Sequence, residues 1–373
     1  MAHELETMAY VGQTPWHGLG NALPAKQPIE VWAQQAGMNW SICETPVRFV
    51  ASPQDKGAET AKGNSSDETP PALGTIHSFD NHKVLYRSDT KSALSVVSKR
   101  YQVVQPREIL EFYRDLSEVS GFELETAGVL KEGRKFWALA RTGKEARLKG
   151  GDVVKGYLLL ATSCDGTLAT TATPTSVRVV CNNTLSIAID GASTAVKVPH
   201  STCFDAEAVK RQLGVAVSHW DEFMYQMKQL SQRKVKDHEA ASFFKRVLSP
   251  MDGSFESKLI LPDSFSPTKV EEGFLDLASM ASIPESSSLV ASTQAIANDR
   301  ALKKVQALYD GNGRGAELDA AKGSAWGLIS AITEFVDHER RARSQEFRLD
   351  SAWFGQGAAV KQRALEQALL LAS

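Results

Sequence analysis

The sequence is poor in the features that would announce a chemistry. It has four cysteines in 373 residues, Cys43, Cys164, Cys181 and Cys203, too few and too scattered for a disulfide framework. Free thiols in a reducing cytoplasm are expected. An excess of one charge is also missing: 42 Lys and Arg stand against 44 Asp and Glu, for a net charge of -2. Whole-chain charge therefore offers nothing to a polyanionic partner, and any basic surface has to be local. No apolar run approaches the ~18 residues of a membrane span. Residues 156–162 form a run the size of a strand. The opening Met1-Ala2-His3-Glu4-Leu5-Glu6 has no basic segment followed by an apolar one, so export is not expected.

Familiar catalytic patterns are missing too. There is no Gly-x-x-x-x-Gly-Lys-Ser/Thr phosphate loop, no His-Glu-x-x-His, no Cys-x-x-Cys and no Gly-x-Ser-x-Gly elbow. Neither a cofactor nor a metal is expected. Gly311-Asn312-Gly313-Arg314-Gly315 follows a helical pattern rather than a strand, so it reads as a flexible loop between helices and not as a phosphate cradle. His200 with Cys203, and His338 between Asp337 and Glu339, are the remaining candidates for an active centre. The first pair has no orienting group or oxyanion site beside it in the chain. The second sets neighbouring residues on different sides of a helix, where one cluster cannot hold a metal alone. An enzyme is the weakest of three readings.

Composition points to a folded protein. Hydrophobic residues at 42% and charged residues at 23% can build a sizeable core, and the length suggests about two domains. Residues 1–50 mix turn signals with aromatics, and Trp16, Trp32 and Trp40 are expected to anchor this segment on the core. A short helix fits residues 28–37, opened by Pro28 and stopped by Gly37. Between Ala51 and Ala72 there is no Val, Ile, Leu, Phe, Tyr or Trp. Such a stretch cannot bury enough surface to offset its ordering entropy, so residues 51–74 read as a flexible insertion between two strands.

Residues 75–200 read as an α+β core domain. Strands fit 83–87 and 93–97. Pro106 opens a helix that Gly121 ends, with Ile109, Leu110, Phe112, Tyr113 and Leu116 on one face. Further strands fit 122–130, 134–141, 153–163 and 168–173, with Asp165-Gly166 as the tight turn between the last two. Residues 175–189 suit a helix capped by Thr175 or Ser176, while Val179 and Val180 suit a strand equally well. Residues 201–373 read as helical. Val209, Leu213, Val217, Trp220, Met224, Met227 and Leu230 recur every three or four residues along one long helix, a packing seam suited to self-association. More helices fit 238–248, 292–309, 325–343 and 358–371, with a Ser/Pro-rich loop at 250–290. The expected fold class is α+β, with an antiparallel β-sheet and flanking helices in the N-terminal half and a mainly helical C-terminal half.

Local basic character is the remaining functional lead. Lys99-Arg100-Tyr101 precedes a helix. Arg134, Lys135, Trp137 and Arg141 decorate a hairpin. Arg178 opens a stretch in which Asn182 and Asn183 offer amide donors and acceptors. Grooves for single strands combine cations with aromatic faces and polar side chains. In such a groove Lys99, Arg100, Arg134, Lys135, Arg141 and Arg178 would neutralise the backbone, and Tyr101 or Trp137 would stack on bases. Arg340, Arg341, Arg343 and Arg348 make a second basic stretch. Glu339 and Glu346 dilute it, and it reads as solvated helix surface.

Dense stretches of sequence carry a family resemblance. They are Trp16-His17-Gly18-Leu19-Gly20, Ser98-Lys99-Arg100-Tyr101-Gln102-Val103-Val104-Gln105, Leu159-Leu160-Ala161-Thr162-Ser163-Cys164-Asp165-Gly166 and Val177-Arg178-Val179-Val180-Cys181-Asn182-Asn183-Thr184-Leu185. Ala325-Trp326-Gly327-Leu328 and Val336-Asp337-His338 add to them. Together they resemble the phage/plasmid-like protein family, built on the domain of unknown function numbered nine-three-two. The resemblance implies carriage on phages, plasmids and integrated elements, and it implies no activity. At the level of fold, the order helix, hairpin, strand, helix is similar to the core of single-strand annealing proteins, the class of RecT, Redβ and the eukaryotic Rad-fifty-two protein. That likeness implies an ATP-independent homo-oligomer that binds single-stranded DNA and anneals strands. The rival reading is a protein-interaction or anti-defence component of a mobile element without DNA binding, which the near-neutral charge also suits.

Overall fold

A computed structural model describes residues 7–12, 20–51, 75–180, 183–189, 192–249 and 299–372. Trp16, Cys181, Asn182, the interior of the 51–74 insertion and the 250–290 loop lie outside the described residues. The chain begins β1 (Thr7–Val11), β2 (Asn21–Leu23), α1 (Ile29–Gln35), β3 (Ile42–Ala51), β4 (Thr75–Arg87), β5 (Ala93–Ser98) and α2 (Pro106–Ser120). Then come β6 (Glu123–Leu130), β7 (Lys135–Arg147), β8 (Val153–Ser163), β9 (Thr170–Arg178), β10 (Asn183–Ser186), β11 (Ala188–Ile189), β12 (Ala192–Ser193) and β13 (Val196–Val198). The rest is helical: α3 (Ala206–Ser218), α4 (Trp220–Gln232), α5 (Asp237–Leu248), α6 (residues 299–307), α7 (Ala325–Glu334), α8 (Gln345–Phe354) and α9 (Gln356–Ala372). The α+β expectation is met, with the sheets in the N-terminal half and helices beyond.

The main sheet has the order β10-β9-β8-β7-β6-β1-β2, with β13 also on β9. Its pairs are antiparallel except β1 with β2. Alternation along the central strands buries both faces. Phe136, Ala138, Ala140, Leu158 and Leu160 face one core with Trp32, Trp40 and α2. Trp137, Leu139, Tyr157, Leu159 and Ala161 face another with Leu349 of α8. This is why residues 156–162 read as an unbroken apolar run: both sides of β8 are covered. Helix α2 forms where its signals place it. Gln105 and Glu108 make a capping box at its start, Pro106 sits in its first turn, and Gly121 takes φ 69° to end it. From its buried face the Tyr113 hydroxyl donates to the carbonyls of Ala138 and Leu158, at 3.0 and 2.8 Å.

Four expectations are corrected. Residues 175–178 and 183–186 are strand and Val179 and Val180 lie in a turn, with no helix among the described residues here: Thr175 and Val177 pair with both β8 and β10, and pairing on two sides decides between the two conformations their sequence allows. The long helix from Val209 to Leu230 is two helices. Val209 and Leu213 join the sheet core, whereas Trp220, Met224, Met227 and Leu230 join a second core with α5, α7 and α9. The seam is consumed inside the chain and is not free for self-association. The helix starting at Ala325 ends at Glu334, followed by a wide turn (Phe335–Glu339) and a loop over 340–344. Strands β1 and β2 and helix α8 have no counterpart in the sequence reading.

A second sheet, β3-β4-β5, stands apart. Its root is packed: Ile42 and Leu85 are buried, and Arg87 lies 4.1 Å from the ring centre of Trp40. Beyond the root, β3 and β4 run on as a two-stranded arm, paired from Val47 with Phe79 to Ala51 with Thr75.

Candidate functional site

The residues expected to hold a strand fall into two groups. Lys99 and Arg100 are exposed in the turn after β5, and neither has an ion pair among the described residues. Tyr101 follows them. Its hydroxyl donates to the Ser163 carbonyl at 2.9 Å, and its ring stacks on His200 at 4.4 Å. Arg134 is partly exposed and reaches back to the Lys131 carbonyl at 3.0 Å. The Cys164 amide donates to the Arg134 carbonyl, so Lys99, Arg100, Tyr101 and Arg134 gather at the end of the main sheet where β8 turns into β9. Arg141 lies farther along β7, bonded to Glu125, which also accepts from the Tyr157 hydroxyl.

The second group is interior, which corrects the expectation that it faces a strand. Trp137 is buried in the sheet core. Lys135 is buried and pairs with Asp350 at 2.5 Å. Arg178 is 4% exposed. Its Nε donates to both carboxylate oxygens of Asp152 at 2.9 Å, and its Nη atoms donate to the carbonyls of Arg314 and Gly315, at 3.3 and 2.8 Å. Trp326 Nε1 completes the set by donating to Asp152 at 3.0 Å. The glycine cluster at 311–315 is therefore a clasp for Arg178. Gly315 has φ 71°, and a Cβ there would stand 2.7 Å from Val180 and 3.0 Å from the Arg178 guanidinium.

Asn183 is interior as well. Its amide nitrogen donates to the Ser330 carbonyl and the Thr333 hydroxyl, which leaves its oxygen to accept from His338 Nε2 at 3.1 Å. Next to it, the backbone amide of Thr184 donates to Asp337 at 2.9 Å. Lys361 bridges Asp337 and the Thr184 hydroxyl, both at 2.8 Å. The family-like stretches around Arg178, Trp326 and Asp337 thus meet in space as one buried polar junction, which ties the sheet edge to the C-terminal helices. A partner inside such a junction needs unfolding to be reached, so its chemistry is structural. Of the residues weighed for an active centre, His338 belongs to this junction and His200 is engaged by backbone, while Cys203 is exposed. Both ring nitrogens of His200 face backbone carbonyls, of Gln102 and Leu168, at 3.0 Å. Burial pushes the Cys164 thiol up to about 12, away from nucleophilic use.

An exposed surface that the sequence did not disclose lies on the arm. Residues 80–82 of β4 bulge against the single step from Pro46 to Val47, and the Lys99 amide donates to the Asn81 carbonyl at 2.9 Å. Cross-strand partners share a face, so Val47, Phe79, Phe49 and His77 form one stripe. Phe49 stacks on His77 at 5.4 Å, and Phe79 on His82 at 4.9 Å. The stripe is open to solvent: Phe49 is 52% exposed and Phe79 48%. His82 pairs in register with Ser98, so the stripe runs into the Lys99-Arg100 turn. The opposite face carries Arg48 and Ser78, then Val50 and Ile76, also exposed. Aromatic faces continuous with two free cations can bind a chain that alternates flat groups with negative charge.

A family described as a domain of unknown function, DUF932, matches residues 93–258 and 272–353, more than half of the chain. Apart from Lys361, the residues of the polar junction lie within these segments, and the β3–β4 arm lies outside them. No curated protein and no solved structure matches the chain, so the likeness to single-strand annealing proteins gains no support from comparison.

Proposed function

The chain belongs to the DUF932 family, and from the geometry of its exposed surface we propose that it is an ATP-independent single-stranded DNA-binding protein that works through the β3–β4 arm. The observation that carries this reading is the stripe of Phe49, His77, Phe79 and His82 leading into Lys99 and Arg100. Two half-exposed phenylalanines on an otherwise solvated ribbon lose hydration free energy unless a partner covers them. Bases of a single strand offer flat partners, and Lys99 and Arg100 offer charge to the backbone between them. A duplex hides its base faces in the stack, so the surface discriminates in favour of single strands. Strand annealing is the further step this reading allows, because bases held by stacking keep their pairing edges free.

The test is binding of labelled single- and double-stranded DNA across a salt series. Phe49→Ala with Phe79→Ala is expected to weaken single-strand binding by about 5- to 150-fold, the equivalent of about 1–3 kcal/mol for a lost stacking site. Lys99→Ala with Arg100→Ala should lower the salt slope by about 1 to 2. Parent-like binding by both variants would reject the arm as the site. A second reading has its own support. Val50 and Ile76, 61% and 64% exposed on the other face of the arm, suit a protein partner. Unaltered mass of the parent with and without DNA, together with absent DNA binding at low salt, would favour that reading.

A further inference from the structure

Residues 340–348 hold four guanidinium groups, and the fold draws away the carboxylates that neighbour them in sequence. Asp337 is buried against Lys361 at 2.8 Å. Glu339 pairs with Lys304 at 3.0 Å. Glu346 is buried and accepts the backbone amide of Lys131. Glu339 and Glu346 thus have partners of their own outside residues 340–344, and these residues form a loop where helix surface was expected, with Arg348 on α8. Arg348 turns back from α8 to donate to the His338 carbonyl, which closes the 340–344 loop.

Arg340, Arg341 and Arg343 are left in need of an anion. Arg341 and Arg343 are exposed, and neither has an ion pair among the described residues. Arg340 is more telling. One of its terminal nitrogens donates to the neutral side chain of Gln356 at 3.1 Å, while Nη1 is shielded from solvent and has no partner among the described residues. Burial without a carboxylate lowers its pKa from the ordinary arginine value. A half-buried cation without a counter-ion costs free energy that an arriving anion returns. Guanidinium forks match the oxygens of phosphate in paired hydrogen bonds, and three such groups within four residues suit a ligand of more than one negative charge.

We propose that the 340–344 loop is a binding site for phosphate groups, with Arg340, Arg341 and Arg343 as the ligating side chains. The site is independent of the arm. The phosphate can belong to a small phosphorylated compound or to the backbone of a nucleic-acid strand, and the two sources separate by experiment. Pyrophosphate and a poly-dT oligonucleotide serve as probes, read by titration at low salt. The variants are Arg341→Glu with Arg343→Glu, the same pair changed to Lys, and Phe49→Ala with Phe79→Ala as the arm control. The Glu pair is expected to lose about tenfold or more in affinity, and the Lys pair less, because it keeps charge and loses the fork. Pyrophosphate binding that the Glu pair loses and the arm control keeps assigns the site to small phosphates. Loss confined to poly-dT, with the salt slope reduced by about 2, assigns it to a backbone. Should the Glu pair melt below the parent, Arg341→Gln with Arg343→Gln is read in its place. The site is overturned if neither probe binds the parent, or if the charge-changed pair binds both probes as the parent does.

Discussion

The polar junction and the β3–β4 arm invert the usual placement of residue types. At the junction, Arg178, Asp152, Asp337 and Lys361 are buried in mutual pairs. On the arm, Phe49, Val50, Ile76 and Phe79 stand in solvent. The contrast teaches which residues bear on function. A cation in sequence is a candidate for binding only if the fold leaves it without an anion, and an aromatic is a candidate only if no layer covers it. Of the ten residues singled out for a DNA groove, Arg134, Lys135, Arg141 and Arg178 fail through carboxylate partners and Trp137 through burial, and the stripe that passes was not singled out at all. The family match follows much the same division, since it includes the junction except Lys361 and begins beyond the arm.

The comparison breaks most sharply at Arg178. Arg178→Met leaves Asp152 buried and short of its main partner, with an expected cost of about 3–5 kcal/mol in unfolding by urea. Lys99→Met, an exposed cation, should change stability by less than about 0.5 kcal/mol. Equal effects would show that the junction holds less of the structure than its geometry implies. The Lys361–Asp337 pair sharpens the point. Asp337→Leu alone should destabilise by about 3 kcal/mol, because it strands the Lys361 charge. Adding Lys361→Met should recover much of that loss, since two apolar groups fit a buried site without a desolvation penalty. A double variant no better than the single would mean that the hydrogen bonds to Thr184, not the charges, dominate.

The arm answers in the opposite sense. Phe49→Ser with Phe79→Ser is expected to leave urea unfolding within about 0.5 kcal/mol of the parent, because little buried area is lost. The same pair should reduce binding strongly. A large loss of stability would indicate that the stripe packs on something within the chain and is not a docking face.

Much of the fold could be read from local pattern. Helix α2 was legible because Pro106, a five-residue apolar face and Gly121 all mark one element. Strand β8 was legible because seven residues without a charge are bounded by turns. Residues 175–178 were ambiguous because Thr and Val serve helix starts and strands alike, and only the neighbours β8 and β10 resolve them. The division between α3 and α4 was hidden because one apolar stripe continues across it while its halves pack on different cores. The site was less legible than the fold. Arg178 meets Asp152 across 26 residues, and Lys135 meets Asp350 across 215, so neither pairing has a local signal. The exposure of Phe49 and Phe79 left no mark either. An apolar residue alternating along a strand implies a covering layer, and nothing in the sequence says that the arm extends past the point where the layer ends.

The smallest effect lies where the arm is rooted, between the two regimes. Arg87 is buried over Trp40, and both its Nε and one Nη donate to Asp89, at 3.0 and 2.8 Å. Asp89 itself is largely exposed. The hydrogen bond from Arg87 is the main cause that lowers the Asp89 pKa from 3.8 to about 2. A carboxylate with a depressed folded pKa contributes stability that is fully present above the unfolded value and lost as pH falls. The window is therefore from about pH 3.8 down through pH 2. Solvent screening limits the contribution to a few tenths of a kcal/mol. Asp89→Asn should accordingly cost that much near pH 6, and the difference from the parent should vanish towards pH 2 in acid-titrated unfolding. A difference that persists at pH 2 would assign the loss to the hydrogen bond that the Thr90 amide donates to Asp89, and not to the ion pair with Arg87.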